Sequence, residues 1–187
     1  MAEVLRDAVF YHRSGGGMTL TGGEPLFQPD FAMAIFQVAK AHGVHSAVET
    51  CGYVPWQSFQ LALRHIDLLL FDLKLLSPEL HQRMTGVTNA LILQNLGRVV
   101  SNGVNLILRL PIIPGVNDSA GDMEAIGRIV SALRPVPPVE LLPYHRLGVS
   151  KYRALGREYR LEARQPPDKS GMKKLGGVLA QMGLEVI

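Results

Sequence analysis

The chain has 187 residues, 47% of them hydrophobic, and a formal charge of +3 from 19 basic and 16 acidic side chains. That length and apolar share give a sizeable core rather than disorder. No apolar run approaches the roughly 18–20 residues of a bilayer span, and the basic excess, scattered except around Arg146 to Arg164, lacks the dense aromatic-interleaved patch of a nucleic-acid surface. Cys51 is the only cysteine, which excludes an internal disulfide and a cysteine cluster for zinc or iron–sulfur. The opening MAEVLRDAVFYHR has no basic stretch followed by an apolar one, so the expectation is a single cytoplasmic domain over residues 1–187.

In chain order, residues 2–11 place Val4, Ala8 and Tyr11 on one helical face, and 18–21 read as a first strand. Pro29 opens a helix that includes 31–41 and stops at Gly43. A strand at 46–50 follows, then one at 67–72, then a helix opened by Pro78. Gly103 ends the next helix, ahead of a strand at 105–110. Asn117 or Asp118 caps a helix reaching Leu133, and 139–142 read as the fifth strand. Residues 146–169 read as a loop that QPPDK brings to its end; 170–182 form a last helix, with a weaker sixth strand at 184–187.

Strands alternating with helices of this length imply an α/β fold of right-handed parallel βαβ units. Five or six strands cannot close an eight-stranded barrel, which leaves an open doubly wound sheet or part of a barrel. Both architectures bind ligands at the carboxyl ends of their strands. The polar residues gather there: Thr21 with Gly22, Gly23 and Glu24; Glu49 and Thr50; Asp72 and Lys74; Arg109; Tyr144 and His145.

In GGEP, the glycines let a ligand approach bare backbone, and Glu24 is held extended by the proline after it. Carbonyls plus a carboxylate suit an ammonium, although an ordinary glycine turn accounts for the pattern equally well. In LLLFDLK, Asp72 and Lys74 lie two apart on a strand and share a face. Together they can hold a zwitterion, or they can simply pair with each other. Glu49 in VETCG repeats the strand-end acid, and Cys51 beside it reads as a small buried hydrophobe. Arg109 in LILRLPIIPG needs a partner, so pairing with these acids and contacting a ligand stand level. His145 in ELLPYH is the best placed of the six histidines to meet a ring. No Ser-His-Asp order, phosphate loop or metal-ligand spacing occurs, and SGGG precedes a strand rather than a helix. A binding or interaction domain, and a barrel lyase using Lys74 as a Schiff-base amine, remain open alternatives.

Four blocks in order, SGGGMTLTGGEPLFQPDF, DLLLFDLKLLSPELHQRMTGVTN, LRLPIIPGVND and ELLPYHRLGVSKY, resemble the glycyl-radical-enzyme activating enzymes, the pyruvate formate-lyase activating type within the radical S-adenosylmethionine (SAM) superfamily. The resemblance implies a partial (β/α)6 TIM-like barrel and two cofactors, SAM and a [4Fe–4S] cluster. It implies reductive cleavage of SAM to a 5′-deoxyadenosyl radical that takes a hydrogen from a glycine of a partner glycyl radical enzyme. An electron donor such as flavodoxin or ferredoxin would serve the cluster; no nucleic acid or membrane partner is implied.

By motif, the resemblance places Gly22, Gly23 and Glu24 at the methionyl ammonium of SAM. It places Asp72, Leu73 and Lys74 at the carboxylate, Glu49 and Thr50 nearby, and Arg109 and His145 completing the pocket, His145 toward the adenosine. A monovalent cation at Glu49 and Asp72 is a further implication, held loosely because Glu49-Thr50-Cys51 stands where the family carries Asp-Thr-Asn. The family's CxxxCxxC, on the loop after its first strand, has no counterpart here. The expectation is therefore the C-terminal part of such an enzyme, inactive alone, with an open sheet edge beside the GGEP strand.

Overall fold

The computed structural model describes residues 2–159, 161 and 163–187. Five strands, β1 (Gly17–Leu20), β2 (His45–Thr50), β3 (Leu68–Asp72), β4 (Leu106–Ile112) and β5 (Val139–Pro143), form one parallel sheet in sequential order. That order decides between the two architectures. A doubly wound sheet reverses direction at a switch point, whereas uninterrupted right-handed crossovers set every helix on one face, as in a barrel.

Strand alternation then sorts the residues. Val48, Leu69, Phe71, Leu106, Leu108, Leu110 and Ile112 point into a core completed by helical side chains such as Phe36, Phe59, Leu96, Val99, Ile126 and Val130. Glu49, Asp72 and Arg109 alternate with them and face the concave side. The helices supplying that core are α3 (Pro29–Ala41), α4 (Trp56–Ala62), α6 (Ala90–Ser101), α7 (Ala120–Ser131) and α9 (Lys169–Gln181), whereas the buried residue of α5 (Pro78–Thr85) is His81. Pro29 and Pro78 do occupy first helical turns, and Gly43 and Gly103 follow helix ends with φ of 64° and 68°.

Four expectations change. The N-terminal helix is two pieces, α1 (Ala2–Arg6) and α2 (Ala8–Ser14), broken at Asp7. The cap of α7 is Ser119, in a capping box with Asp122, rather than Asn117 or Asp118. Asn117 is drawn away because its side chain is buried in bonds to three backbone groups. The expected loop after β5 contains α8 (Val149–Ala154), which buries no residue and so left no apolar periodicity to read. The sixth strand shrinks to one bridge between Val139 and Val186, with Leu184 buried beneath it.

Among the described residues β1 pairs with β2 alone, leaving one sheet edge open at the GGEP strand. No described helix is long and apolar enough to cross a membrane.

Candidate functional site

Register assembles the site. Asp72 lies opposite Arg109 on β3 and β4, and Arg109 lies opposite Glu140 on β4 and β5. All three therefore share the concave face at the carboxyl edge. The Arg109 guanidinium reaches Glu49 at 3.1 Å, Glu140 at 3.4 Å and Asp72 at 3.9 Å. Thr21, just past β1, donates to the other oxygen of Glu49 at 3.0 Å, and Lys74 stands 3.7 Å from Asp72. A polar ladder thus runs across all five strands.

Two atoms in that ladder are buried and have no hydrogen-bond partner among the described residues: Asp72 Oδ1 and Arg109 Nε. The two face each other as an ion pair at 3.9 Å, and Arg109 Nε also faces Glu140 at 3.4 Å, so charge is balanced here while the hydrogen bonds are left unmade. Burial pushes the Asp72 carboxyl above its ordinary value, while Lys74 and Arg109 pull the other way. Glu49, Asp72 and Arg109 line a cavity of about 460 Å³, with Tyr144 and His145 at its far side and Tyr159 and Leu161 over it. Tyr144 donates to the Leu161 carbonyl at 3.0 Å. Desolvation, with help from Tyr144, pushes the Tyr159 phenol up to about 12.

Of the residues expected at the site, Glu49, Asp72, Arg109 and His145 come together in this cavity. Lys74 joins through Asp72. His145 is exposed, and its Nδ1 accepts from Leu147 N at 3.4 Å. Leu73 is buried in the core and offers the edge its backbone alone. Gly22 has φ of 138°, and a Cβ at Gly22 or at Gly23 would meet nothing within 4 Å, so bare backbone is open to solvent there.

Glu24 is engaged elsewhere. Both its oxygens accept from the Thr50 hydroxyl at 2.8 Å, one accepts from Cys51 N at 3.0 Å and Cys51 Sγ at 3.3 Å, and the other from Leu26 N at 3.2 Å. It ties the GGEP turn to the end of β2. Burial pushes the Cys51 thiol up, which keeps it a donor to Glu24. The two carboxylates that the resemblance offered to a monovalent cation both face the Arg109 guanidinium.

Sequence reasoning put Thr21 at the carboxyl edge, but it missed Glu140 as a member of the ladder and the tertiary bonds of three buried asparagines behind it. Asn95 donates to the Gly52 and Val54 carbonyls, Asn89 to those of Leu75 and Leu76, and Asn117 to those of Lys74 and Pro111. These bonds fix the loops after β2, β3 and β4. The available signal was an asparagine inside an amphipathic helix at Asn95, where its propensity is poor.

Residues 1–125 match the radical SAM superfamily. The pyruvate formate-lyase 1-activating enzyme of Escherichia coli (strain K12) is 34% identical, covering 100% of this chain and 77% of that one. This chain belongs to the glycyl-radical-enzyme activating enzymes of the radical SAM superfamily. The isethionate sulfite-lyase activating enzyme of Oleidesulfovibrio alaskensis (strain ATCC BAA-1058 / DSM 17464 / G20) is 45% identical over 83% of this chain and 50% of that protein. A crystal structure of a domain of pyruvate-formate lyase-activating enzyme from Bacteroides vulgatus ATCC 8482 matches with TM-score 0.78 and 29% identity, over 92% of this chain and 98% of that one. The five-stranded sheet is thus the radical SAM partial barrel. The chain spans about half the length of curated relatives such as the sulfite-lyase activating enzyme.

Radical SAM proteins use SAM and a [4Fe–4S] cluster, and this chain's residues fit the two unequally. Asp72 and Arg109, whose facing atoms make an ion pair but no hydrogen bond, present opposite charges beside one cavity that suit the ammonium and carboxylate of a methionyl group. A cluster needs several thiolates, whereas Cys51 is alone, and no three metal-binding side chains converge among the described residues.

Proposed function

We propose that this chain is the SAM-binding portion of a glycyl-radical-enzyme activating enzyme, with the methionyl end of SAM at the polar ladder. The observation that carries the proposal is the pair of buried atoms Asp72 Oδ1 and Arg109 Nε, which face each other at 3.9 Å without a hydrogen bond beside the cavity of about 460 Å³. Asp72 takes the ammonium, while Arg109 and Lys74 face the carboxylate. Glu49 and Glu140 hold Arg109 in place. Gly22 and Gly23 leave the backbone accessible, Glu24 and Thr50 brace that turn, and His145 with Tyr144 meets the adenosine.

Bound SAM supplies a sulfonium–carbon bond that, cleaved reductively, yields a 5′-deoxyadenosyl radical able to take hydrogen from a glycine of the partner enzyme. A [4Fe–4S] cluster, for which this chain's residues provide no set of ligands, would supply the reducing electron, with flavodoxin or ferredoxin as its donor. The chain's own share is binding, orientation and exclusion of water.

Calorimetric titration with SAM tests the reading. Heat of binding is expected from the parent chain, and its loss is expected in Lys74→Ala and Asp72→Asn variants that keep their circular dichroism. A parent chain that gives no heat with millimolar SAM removes the proposal.

The lone cysteine favours a second reading, a SAM-binding or partner-docking domain without catalysis of its own. Anaerobic reconstitution with iron and sulfide separates the two. Stable cluster absorbance with SAM-dependent 5′-deoxyadenosine would sink the non-catalytic version.

A further inference from the structure

Positive charge is concentrated in one segment of the chain. Residues 146–164 hold six Arg or Lys and two Glu, a charge of +4, while the remainder of the chain sums to −1. Within that segment α8 buries nothing. Leu147 and Leu155 are 77% and 67% exposed at its two ends, and Tyr152 is exposed between them. Leu147, Lys151 and Leu155 recur at helical spacing, so apolar and cationic groups share one stripe.

Beside this stripe lies a second cavity, of about 380 Å³, lined by Met84, Tyr152, Arg157, Glu158, Tyr159 and Leu161. Tyr159 and Leu161 also line the larger cavity of the polar ladder. The two spaces are neighbours across that pair, and α8 contributes Tyr152 to the smaller one, with Arg157 beside it.

We propose that this surface docks an acidic segment of a protein partner in extended conformation. Its carboxylates meet Lys151 and Arg157, and an aliphatic side chain fills the cavity under Tyr152. Complementary charge selects and steers such a partner, and the apolar contacts hold it. This rests on the function proposed above, in which a polypeptide must reach the larger cavity. Other anionic occupants fit less well. Six helical residues offer too little apolar face to enter a bilayer. Tyr152 and Tyr159 pack edge to face at 4.9 Å, each occupying the other instead of presenting a stacking platform for bases.

The test is fluorescence anisotropy on the intact chain with a fluorescein-labelled glutamate–leucine peptide, against a lysine–leucine peptide of the same length. The acidic peptide is expected to bind at least about tenfold more tightly. The double reversal Lys151→Glu with Arg157→Glu is expected to weaken it by about tenfold or more, which is ~1.4 kcal/mol. Leu155→Ser should weaken it without altering its salt dependence. SAM binding, read by calorimetry on the same variants, should not change. Equal affinity for the two peptides, or no response to the double reversal, overturns the inference. So does displacement of the acidic peptide by phosphatidylserine vesicles or an oligonucleotide more readily than by unlabelled peptide. If SAM fails to bind the parent while the acidic peptide binds and responds to reversal, the SAM reading falls and the docking surface stands. The opposite pattern removes the docking surface alone.

Discussion

Asp72 and Arg109 are register partners on adjacent strands, yet their charged atoms stop 3.9 Å apart, and each keeps a buried atom unbonded. Glu49 and Glu140 also face the guanidinium, at 3.1 and 3.4 Å, closer than Asp72 does. The arrangement sacrifices stability to keep a carboxylate open, and its pH dependence has a definite sign. Burial raises the folded-state pKa of Asp72 above its ordinary 3.8, so in the window above 3.8 the folded chain holds more protons than the unfolded one. Stability contributed by this group is present below 3.8 and lost as pH rises through the raised value. Asp72→Asn should therefore be more stable than the parent at neutral pH, lose that part of the pH dependence in urea titrations, and bind SAM more weakly. A variant less stable than the parent at neutral pH would contradict the burial cost assigned to Asp72.

Removing the cation has the opposite consequence. Arg109→Ala leaves Glu49, Asp72 and Glu140 without the guanidinium that all three face. The network is only part-buried, so losing its cation costs less than breaking a fully buried pair, about 1–3 kcal/mol. The expected outcome is a drop of that size in denaturant unfolding at neutral pH, shrinking in acid as the carboxylates protonate. A loss that stays constant from neutral pH into acid would assign Arg109 a packing role instead.

The loop behind the ladder is set by one close approach. Gly52 has φ of 76°, and a Cβ there would sit 2.3 Å from Phe71 Cζ, an aromatic atom in the core. Left-handed backbone costs a non-glycine residue about 1–2 kcal/mol, and overpacking adds about 1–3. Gly52→Ala should destabilise by about 3 kcal/mol, measurable as a shift in the urea midpoint, with the Glu24 tie to Cys51 N loosened in consequence.

Much of this was legible because it depends on neighbours in sequence. Strand spacing, proline starts and glycine stops set five strands to within a few residues, and the carboxyl-edge rule was enough to group Glu49, Asp72 and Arg109. What could not be read depends on partners far along the chain. Glu24 bonds Thr50 and Cys51, donors that lie 26 and 27 residues away, while it also lines a cavity of about 290 Å³ with Thr21 and Gly23. Glu140 joined the ladder through register with β4, and Asn117 served the Lys74 carbonyl 43 residues back rather than a helix start two residues on. Short polar side chains are read as caps by local rules, and tertiary bonds override them.

The open edge at β1 has its own consequence. Gly17–Leu20 pairs on one side only, and Phe10, Phe27 and Phe31 are largely exposed. An unprotected edge with apolar neighbours recruits further strands. Sedimentation velocity of the isolated chain should show concentration-dependent association, and Thr19→Lys, at an exposed position of β1, should reduce it. A clean monomer at high concentration would show that the edge is blunted in some other way.

Gly23 offers the cleanest separation of binding from folding. It is not among the glycines with positive φ, and a Cβ built on it meets nothing within 4 Å. Gly23→Ala should therefore leave stability within about 0.5 kcal/mol of the parent, because neither strain nor overpacking arises. Gly22 differs only in its φ of 138°, so Gly22→Ala carries backbone strain as well. If bare backbone at this turn exists for a ligand to approach, Gly23→Ala should lower SAM affinity at unchanged unfolding midpoint, and Gly22→Ala should lower both. Unaltered SAM affinity in Gly23→Ala would reduce the glycines to a turn, and leave Asp72, Lys74 and Arg109 as the whole of the methionyl site.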